Sequence, residues 1–224
     1  MQNCDQLEKM AKNEISILFT GYSKIKDKTI MLANCTCSLI RGKNSVTIVD
    51  TRTAWDGDEM IEALQKINVK PDDITHVICT HGHSDHIGCN YLFQKAKEHI
   101  VGHSISFKNE YRCLDNDECE DYIIDEGIRI VKTPGHTSDS ISVIVDENNL
   151  TSRSVAICGD LFENEMDWTN SYIWIGAGSE SIIEQRRSRH RIAEMSDLII
   201  PGHGSPFSVT QEIRDKLKTE LASE

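Results

Sequence analysis

The chain has 224 residues, with Lys plus Arg 24 against Asp plus Glu 36, for a formal net charge of −12. That balance excludes broad electrostatic binding to nucleic acid or anionic membrane, although a local basic cleft would still attract an anion. The length suits one domain with a sizeable core, and we expect a single domain over 1–224 with 1–14 as a flexible arm. No run reaches the ~18 apolar residues of a membrane span, and the N-terminus lacks the basic start and apolar run of a signal peptide. The 8 cysteines form no C-x-x-C pair. They read as reduced, mostly buried thiols of an intracellular protein, cytoplasmic or nuclear.

In chain order, residues 14–22 read as a strand, with Ile15, Ile17 and Phe19 recurring at every second position. Residues 29–41 read as a second strand region, in which Cys35 and Cys37 share a face. Gly42–Ser45 forms a turn, and Val46–Val49 is an apolar strand closing on the carboxylate of Asp50. Asp56 or Asp58 is placed to cap a helix whose Met60, Ile61, Leu64 and Ile67 recur at helical spacing. Pro71 then turns the chain into the run Val77-Ile78-Cys79-Thr80. A helix is expected over 90–98, and an irregular charged loop over 107–122.

Short β-branched strands follow at 128–132, 140–145 and 155–158. Residues 163–180 form an insertion carrying Trp168, Tyr172 and Trp174. An arginine-rich helix is expected over 182–195, a strand at 198–200 and a terminal helix after it. This alternation in both halves predicts an α+β architecture, two sheets sandwiched between helices.

Chemistry concentrates where strands end. His81, His83, Asp85 and His86 fall within six residues after the strand that ends at Thr80. Imidazole and carboxylate together suit zinc, and also iron or manganese. Three more ligand-type residues, His136, Asp160 and His203, stand at later strand ends, each beside a glycine that lets the backbone turn sharply. Singly, a histidine after Pro-Gly is as readily a turn residue. The recurrence at three strand ends favours a site.

The pattern H-x-H-x-D-H followed by separate His, Asp and His resembles the metallo-β-lactamase superfamily, from the first strand to His203. The resemblance implies an αββα sandwich with two divalent metal ions at one edge of two mixed β-sheets. His81, His83 and His136 would bind one ion; Asp85, His86 and His203 the other; Asp160 would bridge them. Asp50 would be the carboxylate that holds a ligand histidine in place. Asp85 and Asp160 would serve catalysis by a bridging hydroxide. True β-lactamases of the superfamily do not use a bridging aspartate at the Asp160 position.

Three stretches sharpen the resemblance: Thr80–Gly88, Gly159–Glu163 followed by Asp167-Trp168, and Gln185–Arg191 through Phe207. They are similar to a compact animal branch of the superfamily, which implies a homodimeric two-metal endoribonuclease acting at the 3′ end of histone pre-mRNA. Arg52, where the branch often has glycine, stands with Trp168 and Trp174 as an expected substrate rim. The run Arg186, Arg187, Arg189, Arg191 reads more readily as a solvated helix than as a phosphate-binding face. The alternatives are a small-molecule thioester or lactone hydrolase similar to glyoxalase II, and a metal-binding regulatory protein with little turnover.

Overall fold

The protein is described here from a computed structural model, over residues 13–114 and 121–222. Residues 1–12 of the expected arm lie outside this range. Asn13 and Glu14 do not behave as an arm: Asn13 is buried, its side-chain amide donates to Glu126 O and Asp146 O, and Glu14 opens the first strand.

The first sheet holds seven strands in the order β1-β4-β5-β6-β7-β8-β9. These are β1 (Glu14–Phe19), β4 (Cys37–Arg41), β5 (Val46–Val49), β6 (His76–Cys79), β7 (Glu98–Val101), β8 (Ser104–Phe107) and β9 (Glu110–Cys113). A separate ribbon pairs β2 (Tyr22–Ile25) with β3 (Met31–Asn34). The second sheet runs in sequence order through β10 (Asp121–Asp125), β11 (Ile128–Lys132), β12 (Ile141–Val145), β13 (Val155–Gly159), β14 (Leu198–Pro201) and β15 (Phe207–Ser208). Among the described residues, five helices complete the fold: α1 (Gly57–Lys66), α2 (Ser84–Ile87), α3 (Tyr172–Gly176), α4 (Ile182–Met195) and α5 (Gln211–Leu221).

The period-2 alternation of strand side chains builds the layers. Ile40, Val49 and Ile78 of the first sheet face Ile130, Val143, Ile157 and Ile200 of the second, forming the central core. Their chain neighbours point outward. Leu39, Ile48 and Val77 pack under Met60 and Leu64 of α1. Ile144, Ala156 and Ile199 pack under Ile192 of α4 and Ile213 and Leu217 of α5. The result is the expected α+β sandwich, an αββα arrangement of two mixed sheets.

Direction then decides where the site falls. β5, β6 and β7 run parallel, as do β13 and β14, and two antiparallel steps return β11 to the direction of β13. The C-terminal ends of β5, β6, β11, β13 and β14 therefore share one edge of the sandwich. A hydrogen bond from Ile141 N–H to Thr80 O (2.9 Å) ties the two sheets together there.

Several local expectations change. The regions 14–22 and 29–41 each break into two strands, because the chain turns aside at Gly21 and at Cys35-Thr36 to reach the site edge. Gly21 N–H donates to Thr36 Oγ1 (2.9 Å), and Thr36 N–H donates to Gly202 O (2.7 Å). Residues 90–98 form one 3-10 turn (Asn90–Leu92) and then β7, not a helix. Part of the expected charged loop is the β8–β9 hairpin. Asp56 stands at the start of α1 but does not cap it. Its carboxylate instead accepts from Thr53 N–H (2.9 Å), Thr53 Oγ1 (2.6 Å) and Asn34 Nδ2 (2.9 Å).

Candidate metal centre

Each ligand-type residue leaves a strand end at the shared edge. His81 follows β6, and His83, Asp85 and His86 follow through the short helix α2. His136 follows β11, Asp160 follows β13 and His203 follows β14. All seven converge. His83 Nδ1 lies 2.9 Å from His81 Nε2 and 3.1 Å from His136 Nε2. Asp160 Oδ2 lies 3.8 Å from His81 Nε2, 3.5 Å from His136 Nε2 and 3.2 Å from His203 Nε2. Asp160 Oδ1 lies 3.2 Å from His86 Nε2. Asp85 Oδ2 is 4.0 Å from His86 Nε2 and 3.8 Å from His203 Nε2.

These separations suit cations. Ligands ~2.0–2.1 Å from a tetrahedral zinc stand ~3.3 Å from one another. His81, His83, His136 and Asp160 form one ligand-capable group, and Asp85, His86 and His203 form a second. Asp160 faces both through its two oxygens. The polar accounting agrees: His86 Nε2 and Asp160 Oδ1 are buried, face each other and have no hydrogen-bond partner. Buried polar atoms left this way are destabilising unless something else satisfies them, and a divalent cation satisfies a nitrogen and an oxygen lone pair at once.

Electrostatics draws positive charge to the same place. Burial opposes the charge of Asp160, but His86 and His203 outweigh it and hold the carboxyl well below the usual range. Burial disfavours a charged His203, yet the hydrogen bond and charge of Asp160 raise it to about 9. Burial likewise opposes a charged His86, and Asp160 and Asp50 reverse the balance. His81, with burial and then His86 against it, is pushed down. Asp85 is only partly buried and His83 is exposed, so the cluster opens to solvent on that side.

The surroundings orient the ligand-type side chains. Asp50 Oδ2 lies 3.0 Å from His86 Nδ1, and Asp50 Oδ1 accepts from Thr80 N–H (2.8 Å). The turn after β5 takes left-handed backbone at Asp50 (φ 58°) and Arg52 (φ 60°). That curl lets Thr51 N–H donate to His86 O (2.7 Å) and brings Arg52 O to Gly88 N–H (2.7 Å). The main-chain oxygen of Asn34 stands 3.1 Å from His203 Nδ1. Gly159 is left-handed (φ 51°), and a side chain there would strike Thr80; one at Gly202 would strike Asp160 Oδ1.

α4 braces two of the ligand loops. Gln185 Nε2 donates to Asp160 O (3.0 Å), and Ser188 Oγ donates to Pro134 O (2.8 Å) beside His136. Arg189 is fully buried and makes a two-pronged ion pair with Asp167 (2.8 and 3.0 Å) while stacking on Phe162 and Trp174.

The expected rim residues are buried, half-buried or paired within the protein. Trp174 is 0% exposed, wedged under α4 against Arg189, so it offers no surface to a substrate. Trp168 packs half-buried on the outer core beneath α4 and α5. Arg52 is 9% exposed, paired with Asp56 (3.3 Å) and Glu59 (2.8 Å) and stacked on Phe19. Of the arginine run, Arg187 pairs with Glu184 (2.8 Å), Arg189 with Asp167, and Arg191 donates to Lys132 O.

Sequence reasoning passed over Asn34, Gln185 and Glu163. The first acts through its main-chain oxygen and the second by donating its side-chain N–H to the Asp160 main-chain oxygen, neither of which a residue type announces. Glu163 is buried three residues after Asp160; burial foremost, then Asp160, pushes its carboxyl up to about 9. A second carboxylate one turn beyond a ligand aspartate was the available signal.

The "Metallo-beta-lactamase superfamily" sequence signature matches residues 31–111. The chain is 39% identical over 199 residues to metallo-beta-lactamase domain-containing protein 1 of Xenopus laevis, covering 88% of this chain and 82% of that protein. The chain belongs to the metallo-β-lactamase superfamily. Human metallo-beta-lactamase domain-containing protein 1 is 36% identical over 167 residues, 74% of this chain, and the match spans 60% of the human protein. A Thermotoga maritima structure described as a metallo-beta-lactamase superposes with TM-score 0.65 at 22% identity, covering 88% of this chain and 100% of that one. An N-acyl homoserine lactone hydrolase, solved with product at its catalytic metal centre, gives TM-score 0.61 at 17% identity, covering 87% and 93%.

Proposed function

We propose that the protein is a dinuclear metal-dependent hydrolase. The observation that carries this reading is the convergence of seven ligand-type side chains on one sheet edge, with Asp160 facing both groups. His81, His83 and His136 would hold the first ion and Asp85, His86 and His203 the second, with Asp160 facing both groups. Two divalent cations bound there, zinc foremost with iron and manganese as alternatives, would lower the pKa of a nearby water and polarise the attacked bond. The chain's own part is positional. Asp85, on the solvent side, would accept a hydrogen bond from the attacking water and aim it. Asp50 keeps His86 from turning. The buried wall of β6, β13 and β14 excludes water from the far side.

For the substrate we propose an RNA phosphodiester, on the resemblance carried by Thr80–Gly88, Gly159–Glu163 and the α4–β14 segment. Histone pre-mRNA is the expected transcript, in a cytoplasmic or nuclear homodimer. A second reading, hydrolysis of a lactone or thioester, gains from two observations. The chain is 23% identical over 161 residues to an N-acyl homoserine lactonase of Bacillus sp. Arg52, Arg187 and Arg189 are occupied by carboxylates of the protein itself.

The test is a side-by-side assay of single-stranded RNA, an acyl homoserine lactone and an acyl-glutathione thioester. Endonucleolytic cleavage lost in both Asp85→Asn and Asp160→Asn supports the first reading. Intact RNA with lactone or thioester turnover replaces it by the second. Sedimentation equilibrium at micromolar protein tests the dimer: a mass of one chain would contradict it.

A further inference from the structure

Glu163 follows Asp160 on the turn that leaves β13, and the mechanism above gives it no part. Its side chain is 2% exposed, and Oε1 has no hydrogen-bond partner. Asp160, Glu163 and His203 each place a ligand-capable atom within 4.8 Å of the other two. Asp160 and His203 already belong to the proposed dinuclear site, so Glu163 looks onto it from the His203 side.

The main chain keeps Glu163 there. Its N–H donates to Asp167 Oδ2 (2.7 Å), and its C=O accepts from His203 N–H (2.8 Å). Asp167 is itself locked by the buried Arg189. A carboxyl fixed at both flanks, with Oε1 unpartnered and a ligand-capable oxygen near two ligand-type residues, has the chemistry of a ligand, not of a surface acid that folded inward.

We propose that Glu163 is an additional ligating carboxyl for the second ion, the one held by Asp85, His86 and His203. This inference rests on the dinuclear reading. It makes the two positions chemically unequal. The first ion has three imidazoles and a shared carboxylate. The second has two imidazoles and up to three carboxylates, counting Asp85, Asp160 and Glu163. Nitrogen-rich shells suit zinc, whereas carboxylate-rich shells suit manganese and other oxygen-preferring dications. The second position therefore discriminates less against manganese than the first does.

The test titrates metal-stripped, full-length protein with manganese by calorimetry, and follows manganese pairing by electron paramagnetic resonance. Wild type is expected to take two ions and show a spin-coupled pair. In Glu163→Gln, which keeps size and removes charge, one binding event is expected to weaken by ~10–100-fold while the other holds, and the coupled signal fades. Two ions with unchanged affinities in the variant would overturn the inference while leaving the dinuclear reading intact. Fewer than two ions in wild type would overturn both. Should the variant not fold, anomalous diffraction from manganese-loaded wild type decides: a Glu163 oxygen within bonding distance of the ion beside His203 supports the inference, and a non-bonded Glu163 beside a bound ion overturns it.

Discussion

Asp50 shows how a residue outside the seven clustered side chains can position one of them. Its two oxygens bind Thr80 N–H and face His86 Nδ1, so one carboxylate fixes both the strand end and the ring of a ligand-type histidine. Replacing such an outer partner lowers metal affinity by ~10–100-fold. Asp50→Asn is therefore expected to lower the affinity for one ion by that factor, read by competition with a chromogenic chelator; unchanged affinity would contradict the role. Arg52 is a different case. It takes left-handed backbone, a conformation that glycine adopts without strain and that costs other residues about 1 kcal/mol. The branch glycine at this place makes physical sense, and the arginine is held by its ion pairs and the Phe19 face. Arg52→Gly is expected to leave metal uptake unchanged and to shift stability by only about 1 kcal/mol in denaturant melts. At this scale the seven clustered residues were legible because few side chains ligate metals. Trp174 was misplaced because an aromatic in an insertion looks alike whether it faces solvent or, as here, lies under a helix.

Among the elements, α4 carries more than its composition suggests. Its arginines resemble a solvated or phosphate-binding face, yet Arg189 is buried and Gln185 and Ser188 hold the loops of Asp160 and His136. Removing one partner of a buried ion pair costs about 3–5 kcal/mol. Arg189→Met is expected to lose stability in that range by urea unfolding. Arg189→Met with Asp167→Leu should recover only part of it, because Glu163 N–H then lacks its acceptor. A full recovery would show that Asp167 does not hold that turn. The extent of α4 was readable because a capping serine, Ser181, precedes it and the apolar run of β14 follows it. The β8–β9 hairpin was not: every residue of β9 is exposed, so no alternation between a wet and a dry face marks it as a strand. The β2–β3 ribbon escaped for the same reason, its outer residues being largely exposed.

Across the whole molecule, the two sheets are joined at opposite edges by different chemistry. At the site edge the joints are the ligand loops. At the other edge, Asp125 at the end of β10 accepts from Asn44 N–H (2.6 Å), Asn44 Nδ2 (3.0 Å) and Ser45 Oγ (2.8 Å) in the β4–β5 turn. Burial works against this carboxylate, but those bonds and Glu126 N–H lower it to about 2. The folded carboxyl is thus more acidic than the unfolded one, near ~3.9. Its stabilisation is full above about pH 4 and fades as pH falls toward about 2. Wild type should therefore melt well above Asp125→Asn at pH 6, and the gap should close between about pH 4 and 2. A gap constant down to pH 2 would contradict this.

The layered fold itself was legible in the sequence, since strand runs of alternating facing and helices of matching amphipathicity allow few other packings. Substrate was not, because Arg52 and Arg189, which a sequence leaves free for an anion, are buried in ion pairs with Asp56, Glu59 and Asp167. What the proposed function requires at the site edge is a place for two cations. Each should stabilise the folded chain by ~4 kcal/mol when present at ~1,000 times its dissociation constant. Elemental analysis of metal-reconstituted protein, paired with thermal melting, tests this most directly. The account predicts two bound divalent ions per chain, a melting temperature lowered by roughly 10 °C or more on chelation, and fewer than two ions in Asp160→Asn. One ion or none in wild type, or a melting temperature indifferent to chelation, would contradict it.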